Sequence, residues 1–177
     1  MIPPEPFNPD DLILLAASGA RAMTPAELGR VLAYVANAGF DLEAQERAGG
    51  RLAGLRWQGR MLRGRDRLPP AEVHYLRHVQ HGQGWPPGTS LSAYLDSLRT
   101  VVLDLSSGVL TSQFEGRWQL TIVRRSGLLA GPEGGVWVLV DYRVATGHWV
   151  TGYQPDAGLH ILEDPGRTNR RWLRLPT

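Results

Sequence analysis

Apolar residues recur every three or four positions in the first hundred residues of the chain and alternate with polar ones beyond Gly108. The first period belongs to helices with one buried face, the second to half-buried strands. "NPDDLILLAASGARA" predicts a short helix, with Asn8 as N-cap and Pro9 in the first turn. In "TPAELGRVLAYVANAG", Thr24 and Glu27 form a T-x-x-E capping box. Leu28, Val31, Leu32 and Val35 make a buried stripe, and Gly39 closes the helix. "LPPAEVHYLRHVQHG" predicts a third helix from Pro70 to Gly82, with Val73, Leu76 and Val79 inward. "SLSAYLDSLRTVVLDL" predicts a fourth, on a stripe of Leu91, Tyr94, Leu95, Leu98, Val102 and Leu105. "VLTSQF-EG-RWQLTIVRR" and "GVWVLVDYR-VATG-HWVTGYQ" read as two hairpins, and "LHIL" and "RWLRL" as short closing strands. The expected class is therefore α+β: N-terminal helices, then an antiparallel sheet of four or more strands with helices packed on one face.

One segment fits neither period well. "DLEAQERAGGRLAGLRWQGRMLRG" is basic and reads as a helix weakened by Gly49 and Gly50. Taken with the fresh helix start at Pro70, it suggests a helical accessory region over 1–66 and an α+β domain over 67–177. The N-terminus lacks a basic n-region, so no signal peptide is expected, and "LILLAA" is too short to span a membrane.

Composition sharpens the chemistry more than the fold. The 177-residue chain has no cysteine, which excludes disulfides, Cys-ligated zinc and a Cys nucleophile. All 19 basic residues are arginine. Every cationic contact is thus a planar guanidinium fork suited to phosphate or carboxylate. The net charge of +2 does not argue for a polyanionic partner, but its distribution does. Residues 47–67 hold seven Arg against one Asp, and "RTNRRWLR" holds four Arg with no acid.

Three of the five histidines, His74, His78 and His81, fall at i, i+4, i+7 on the third predicted helix, one above another on a single face. Three readings are open. HxxxH is the spacing of two zinc ligands, although Arg77 between them opposes a dication. The rings equally suit a solvated polar face. Or they are acid–base groups, since imidazole titrates near neutrality. RNA cleavage through the ribose 2′-hydroxyl needs only a base, an acid and cations around the phosphorus, with no cofactor. His81 lies beside Gly82, where the helix should fray, so His74 and His78 are the stronger candidates.

The second constellation is "GHWVTGYQPD". A regular strand puts Trp149, Thr151 and Tyr153 on one face: two hydroxyls and an indole that either stacks on a base or fills the core. Arg124 and Arg125 end the "LTIVRR" strand, pointing to opposite faces, either as phosphate ligands or as solvated cations.

In order and pattern, the His-bearing helix "LPPAEVHYLRHVQHG", the helix "SAYLDSLRTVVLDLSSGVL", the strand pair "GRWQLTIVRR" and "GGVWVLVDYR", and the closing strand "GHWVTGYQPD" resemble the barnase–EndoU–colicin–RelE-like ribonucleases, nearest the phage- and polymorphic-toxin-associated branches. The resemblance covers roughly residues 67–156. It implies a metal-independent, cofactor-free endoribonuclease of toxin type, acting on RNA in the cytoplasm after secretion or delivery and neutralised by an immunity or antitoxin protein. It implies catalytic roles for His74, His78, Thr151 and Tyr153 and a phosphate contact from Arg124 or Arg125; Arg77 and Trp149 are further candidates for substrate contact, from their place in the two constellations. The absence of lysine departs from many such nucleases. Rival expectations are a non-enzymatic phage or secretion-system module and a zinc-dependent hydrolase.

Overall fold

The computed structural model describes residues 7–41, 46–47, 52–82, 84–126 and 136–177. Helix α1 (Pro9–Ser18) starts where Asn8 Oδ1 accepts from the Asp10 amide at 3.1 Å and ends at Gly19, whose φ of 79° is left-handed. Helix α2 (Pro25–Ala38) carries the expected capping box. Thr24 Oγ1 accepts from the Glu27 amide at 3.2 Å, and Glu27 Oε2 accepts from the Thr24 amide at 2.9 Å. Its stripe of Leu28, Val31, Leu32 and Val35 is buried as the period predicts.

The helix expected over residues 41–64 is corrected where the structure describes that segment, residues 42–45 and 48–51 lying outside the described ones. Strands β1 (Glu46–Arg47), β2 (Arg56–Trp57) and β3 (Arg60–Met61) stand there, and β1 pairs with β4 (Arg67–Leu68). β2 and β3 form a two-residue hairpin around Gln58 and Gly59, both with positive φ. Such a turn matches the twist of paired strands and is incompatible with a helix.

Helix α3 (Pro70–Tyr75) runs into a widened π-helical turn over Leu76–Gln80, closed by His81 N–H to the Leu76 carbonyl at 3.1 Å. Helix α4 (Leu91–Leu103) is capped by Ser90 and buries Tyr94, Leu98, Val101 and Val102. Leu105, expected on its stripe, lies beyond the helix end and is 85% exposed.

Strands β5 (Gly108–Phe114), β6 (Arg117–Ser126), β7 (Val136–Arg143), β8 (His148–Tyr153) and β9 (Arg167–Arg174) form one antiparallel sheet in the order β8-β7-β6-β5-β9. Both predicted hairpins are present. "RWLRL" falls in β9 and its short tail, whereas "LHIL" is a 3₁₀ helix (Gly158–Glu163) rather than a strand. Its three-residue turn stacks Leu159 over Leu162, facing the sheet.

Helix α4 packs on β6 and β7, α2 on α4, and α1 on α2. The resulting core is continuous across residue 66: Ile13, Val31 and Phe40 join Tyr94, Leu98, Ile122, Tyr142 and Trp149 in one cluster. The protein is α+β, with N-terminal helices followed by a five-stranded antiparallel sheet and α4 against its strands.

Candidate active site

Strand alternation places Leu120, Ile122, Val140 and Tyr142 toward the helices, and Gln119, Thr121 and Asp141 on the opposite face. Where these three stand, the opposite face is polar yet closed to water, while Leu110, Val123 and Leu139 pack with Leu162 elsewhere on it. Gln119, Thr121, Asp141 and Arg167 are 2%, 0%, 4% and 6% exposed. Arg167, the first residue of β9, donates from Nη2 to Asp141 Oδ2 at 2.8 Å and from Nη1 to Thr121 Oγ1 at 3.0 Å. The Thr121 hydroxyl donates in turn to Asp141 Oδ1. The guanidinium also lies over the Phe114 ring, 5.6 Å from its centroid. A charge at this depth is tolerable only when paired and hydrogen-bonded, and this set provides both.

The α3 segment forms the wall above. Phe40, His74, His78 and Tyr153 make one column of stacked rings, with centroid separations of 4.7, 5.7 and 5.3 Å and interplanar angles of 14°, 15° and 26°. The π-helical turn begins between the two histidines; such widened turns recur at functional sites. His74 is buried, and its Nδ1 lies 3.5 Å from Thr151 Oγ1, at the long limit of a hydrogen bond.

Burial, followed by the nearby His78 and Arg77 charges, lowers the His74 pKa from 6.5 to about 3, against an opposing backbone hydrogen bond with Val150. His78 is lowered to about 4, first by burial and then by Arg77. Both imidazoles are therefore neutral at pH 7 and able to accept a proton. Tyr153 is shifted upward, chiefly by burial and then by Asp141, and keeps its phenolic proton.

These groups share a cleft of about 350 Å³, lined among others by His74, Arg77, His78, Gln119, Asp141, Arg143, Thr151, Tyr153, Asp164 and Arg167. The size suits a small organic ligand or a nucleotide. Gln119 and Arg143 are cross-strand partners. Gln119 Oε1 and Arg143 Nε are both buried, with no hydrogen-bond partner among the described residues. No group of three or more metal-ligating side chains occurs among the described residues. Two stacked imidazoles have in-plane lone pairs in nearly parallel planes, which do not converge on one ion at about 2 Å.

Of the residues expected from sequence, His74, His78, Arg77, Thr151 and Tyr153 come together here. Three do not. Trp149 was expected on the face of Thr151 and Tyr153, but the register shifts between Asp141↔Thr151 and Tyr142↔Trp149, making Val150 an extra residue in β8. This bulge turns Trp149 into the helix-side core, 3% exposed, where its indole N–H donates to the Val35 carbonyl at 2.8 Å. It also leaves Val150 without a strand partner, and His74 takes up its backbone. Arg124 points to the helix side and pairs with Asp104 at 3.0 Å. Arg125 is exposed at the far end of β6. His81 is exposed beyond the π turn.

The cleft's guanidiniums are instead Arg77, Arg143 and Arg167. Asp141, Gln119 and the last two arginines escaped the sequence reading, although polar residues at alternate positions inside apolar strands ("WQLTIV", "VLVDYR") were a usable signal. Comparison of the chain with protein-family models, curated proteins and solved structures finds no match.

Proposed function

We propose that this cleft cleaves RNA by transfer of the phosphoryl group to the ribose 2′-oxygen, without a metal or cofactor. The observation that carries the reading is a neutral histidine pair, stacked with Tyr153 and near the Thr151 hydroxyl, that lines one open cleft together with two guanidiniums, Arg77 and Arg143. His78 is half-buried and is the group that reaches substrate; His74 lies beneath it and fixes its ring by stacking. His78 takes the 2′-hydroxyl proton as the 2′-oxygen bonds to phosphorus. The bond from phosphorus to the 5′-oxygen breaks, and Tyr153 gives that oxygen its phenolic proton. The products are a 2′,3′-cyclic phosphate and a 5′-hydroxyl, and solvent returns the proton from His78 to Tyr153. Arg77 and Arg143 face the charge on the phosphorane, Thr151 donates to a phosphate oxygen, and the Asp141–Arg167–Thr121 set holds the floor rigid. The same reading keeps the toxin-type role and an immunity or antitoxin partner as proposals.

The test is cleavage of total RNA by wild type and by His78→Ala, His74→Ala and His81→Ala, with and without EDTA. Loss of the base is expected to slow cleavage about 10²–10⁴-fold in His78→Ala. His81→Ala should match wild type, and chelation should change nothing. Equal activity in all three variants rejects the proposal. Activity abolished by EDTA and restored by zinc transfers the site to metal-dependent hydrolysis.

A further inference from the structure

The face that carries the cleft has a second depression, on the other side of the 3₁₀ helix. Its lining is Leu110, Leu159, Leu162, Glu163, Arg170 and Trp172. With three residues per turn, the helix sends Leu159 and Leu162 to this side while Ile161 lines the cleft. The two depressions are therefore neighbours across one short helix on one sheet face. Strand β9 links them as well: it begins in the cleft at Arg167 and reaches the groove at Arg170 and Trp172.

Trp172 is 38% exposed, on the edge strand and opposite the buried Leu110. Arg170 is anchored by one N–H to the Leu162 carbonyl at 3.0 Å, and the rest of its guanidinium fork is available to a ligand. Glu163, the groove's one acid, has His160 beside it at 3.3 Å. An indole on an apolar floor next to a fixed arginine is the chemistry that binds a nucleobase and its phosphate: stacking on the ring and charge on the fork.

We propose that this groove is a flanking subsite for single-stranded RNA, in which Trp172 stacks on the base of a nucleotide outside the scissile bond and Arg170 contacts its phosphate. The assignment rests on the RNA-cleaving reading of the cleft, from which the groove is separated by one short helix. It predicts that substrates too short to reach the groove do not sense Trp172.

The test uses the full chain with a ribodinucleotide, a ten-nucleotide RNA and a labelled 2′-O-methyl ten-mer that cannot be cleaved. Trp172→Ala should raise KM for the ten-nucleotide RNA and Kd for the 2′-O-methyl ten-mer by roughly 5- to 150-fold, the loss of one stacked base. The kcat on the ten-nucleotide RNA and kcat/KM on the dinucleotide should be unchanged. Trp172→Phe, which keeps a stacking ring, should recover most of the affinity. Arg170→Ala should lower the salt slope of binding by about one. If wild type cleaves RNA and Trp172→Ala changes neither KM nor Kd, the subsite is overturned and the cleft stands; the groove then belongs to a protein partner. If wild type binds the 2′-O-methyl ten-mer through Trp172 but cleaves nothing, the cleavage reading falls and the subsite stands. If wild type neither binds nor cleaves, both fall.

Discussion

On the helix side of the sheet, Leu120, Ile122, Val140 and Tyr142 meet Tyr94, Leu98 and Val102; on the other side the same strands present Gln119, Thr121 and Asp141, enclosed to the same depth. The first face is stabilised by apolar burial, about 25 cal/mol for each Å² removed from water. The second has an apolar part as well, Leu110, Val123 and Leu139 under Leu162, but at Gln119, Thr121 and Asp141 it gains little from enclosure, because each polar atom gives up water and recovers at most a protein hydrogen bond. Replacing such a buried polar set by well-packed apolar residues is often neutral or stabilising. Apolar burial thus does not account for Asp141 and Arg167 where they stand, which is the physical ground for proposing the polar part of this face as the working one.

The comparison breaks first at Asp141. Asp141→Ala leaves the Arg167 guanidinium buried without its carboxylate and should destabilise by about 3–5 kcal/mol in urea unfolding. The double variant Asp141→Leu with Arg167→Met should recover most of that stability while RNA cleavage stays lost. A double variant as unstable as the single one would make the ion pair a structural requirement and remove the contrast between the faces.

The apolar face has its own test at Leu98, which is fully buried and sits against Gly152 so closely that a β-carbon there would overlap it. Leu98→Ala should cost about 2–5 kcal/mol, the range for emptying a leucine site. A loss below about 1 kcal/mol would mean that α4 is not part of the sheet's core.

The helix face was legible in the sequence and the polar face only in part, for a physical reason. Periodicity reports which positions are buried, so the stripes of α2 and α4 and both hairpins followed from the spacing of Leu, Val and Tyr. Periodicity does not report a bulge. One extra residue at Val150 reversed the side on which Trp149 lies, and of its two readings, stacking on a base or filling the core, the second holds. Nor does it report pairing across the sheet: Arg167 joins Asp141 and Thr121 from 26 and 46 residues away. The histidines were found because their grouping is local, and His81 was separable from the other two by its place at the helix end. The hairpin at Gln58–Gly59 was missed because the weight of arginine and alanine around it favours helix, while a two-residue turn announces itself only by one glycine.

Acid sharpens the comparison from the cleft side. The histidines take up protons in the unfolded chain near pH 6.5 but in the folded protein only near pH 4 for His78 and pH 3 for His74. Between those limits the unfolded state binds more protons. Their contribution to stability is therefore fully present above pH 6.5 and falls with pH, by at most about 1.4 kcal/mol per pH unit for each ring. The Leu98→Ala variant should show the same acid slope as wild type, whereas His78→Ala should show a shallower one. For catalysis the base must be neutral. The acid limb of kcat/KM in the free enzyme is thus expected near pH 4 rather than near 6.5. A limb at 6.5 in a variant-sensitive assay would mean that His78 is solvated rather than half-buried beside His74 and Tyr153.

The smallest expected effect lies at Arg124, and it decides how far the working face extends. Arg124 was a phosphate candidate from sequence; in the fold it points to the helix side and meets Asp104 at 3.0 Å, with both side chains about a quarter to a third exposed. A pair that open contributes about 0–1 kcal/mol, since solvent screens it and two long side chains lose freedom in forming it. Removing the arginine does not strand its partner. Asp104 Oδ1 accepts from the Ser106 amide at 2.7 Å and from its hydroxyl, the hydrogen bonds that chiefly hold its pKa below the usual range, and Arg174 adds a second cation nearby. Arg124→Ala should therefore shift unfolding by no more than about 1 kcal/mol and leave RNA cleavage at the wild-type rate. Arg143→Ala, on the neighbouring strand at the other end of the sheet and on the cleft side, should slow cleavage without a comparable change in fold. A tenfold loss of activity in Arg124→Ala, with stability intact, would place substrate on both faces of the sheet and dissolve the division between them.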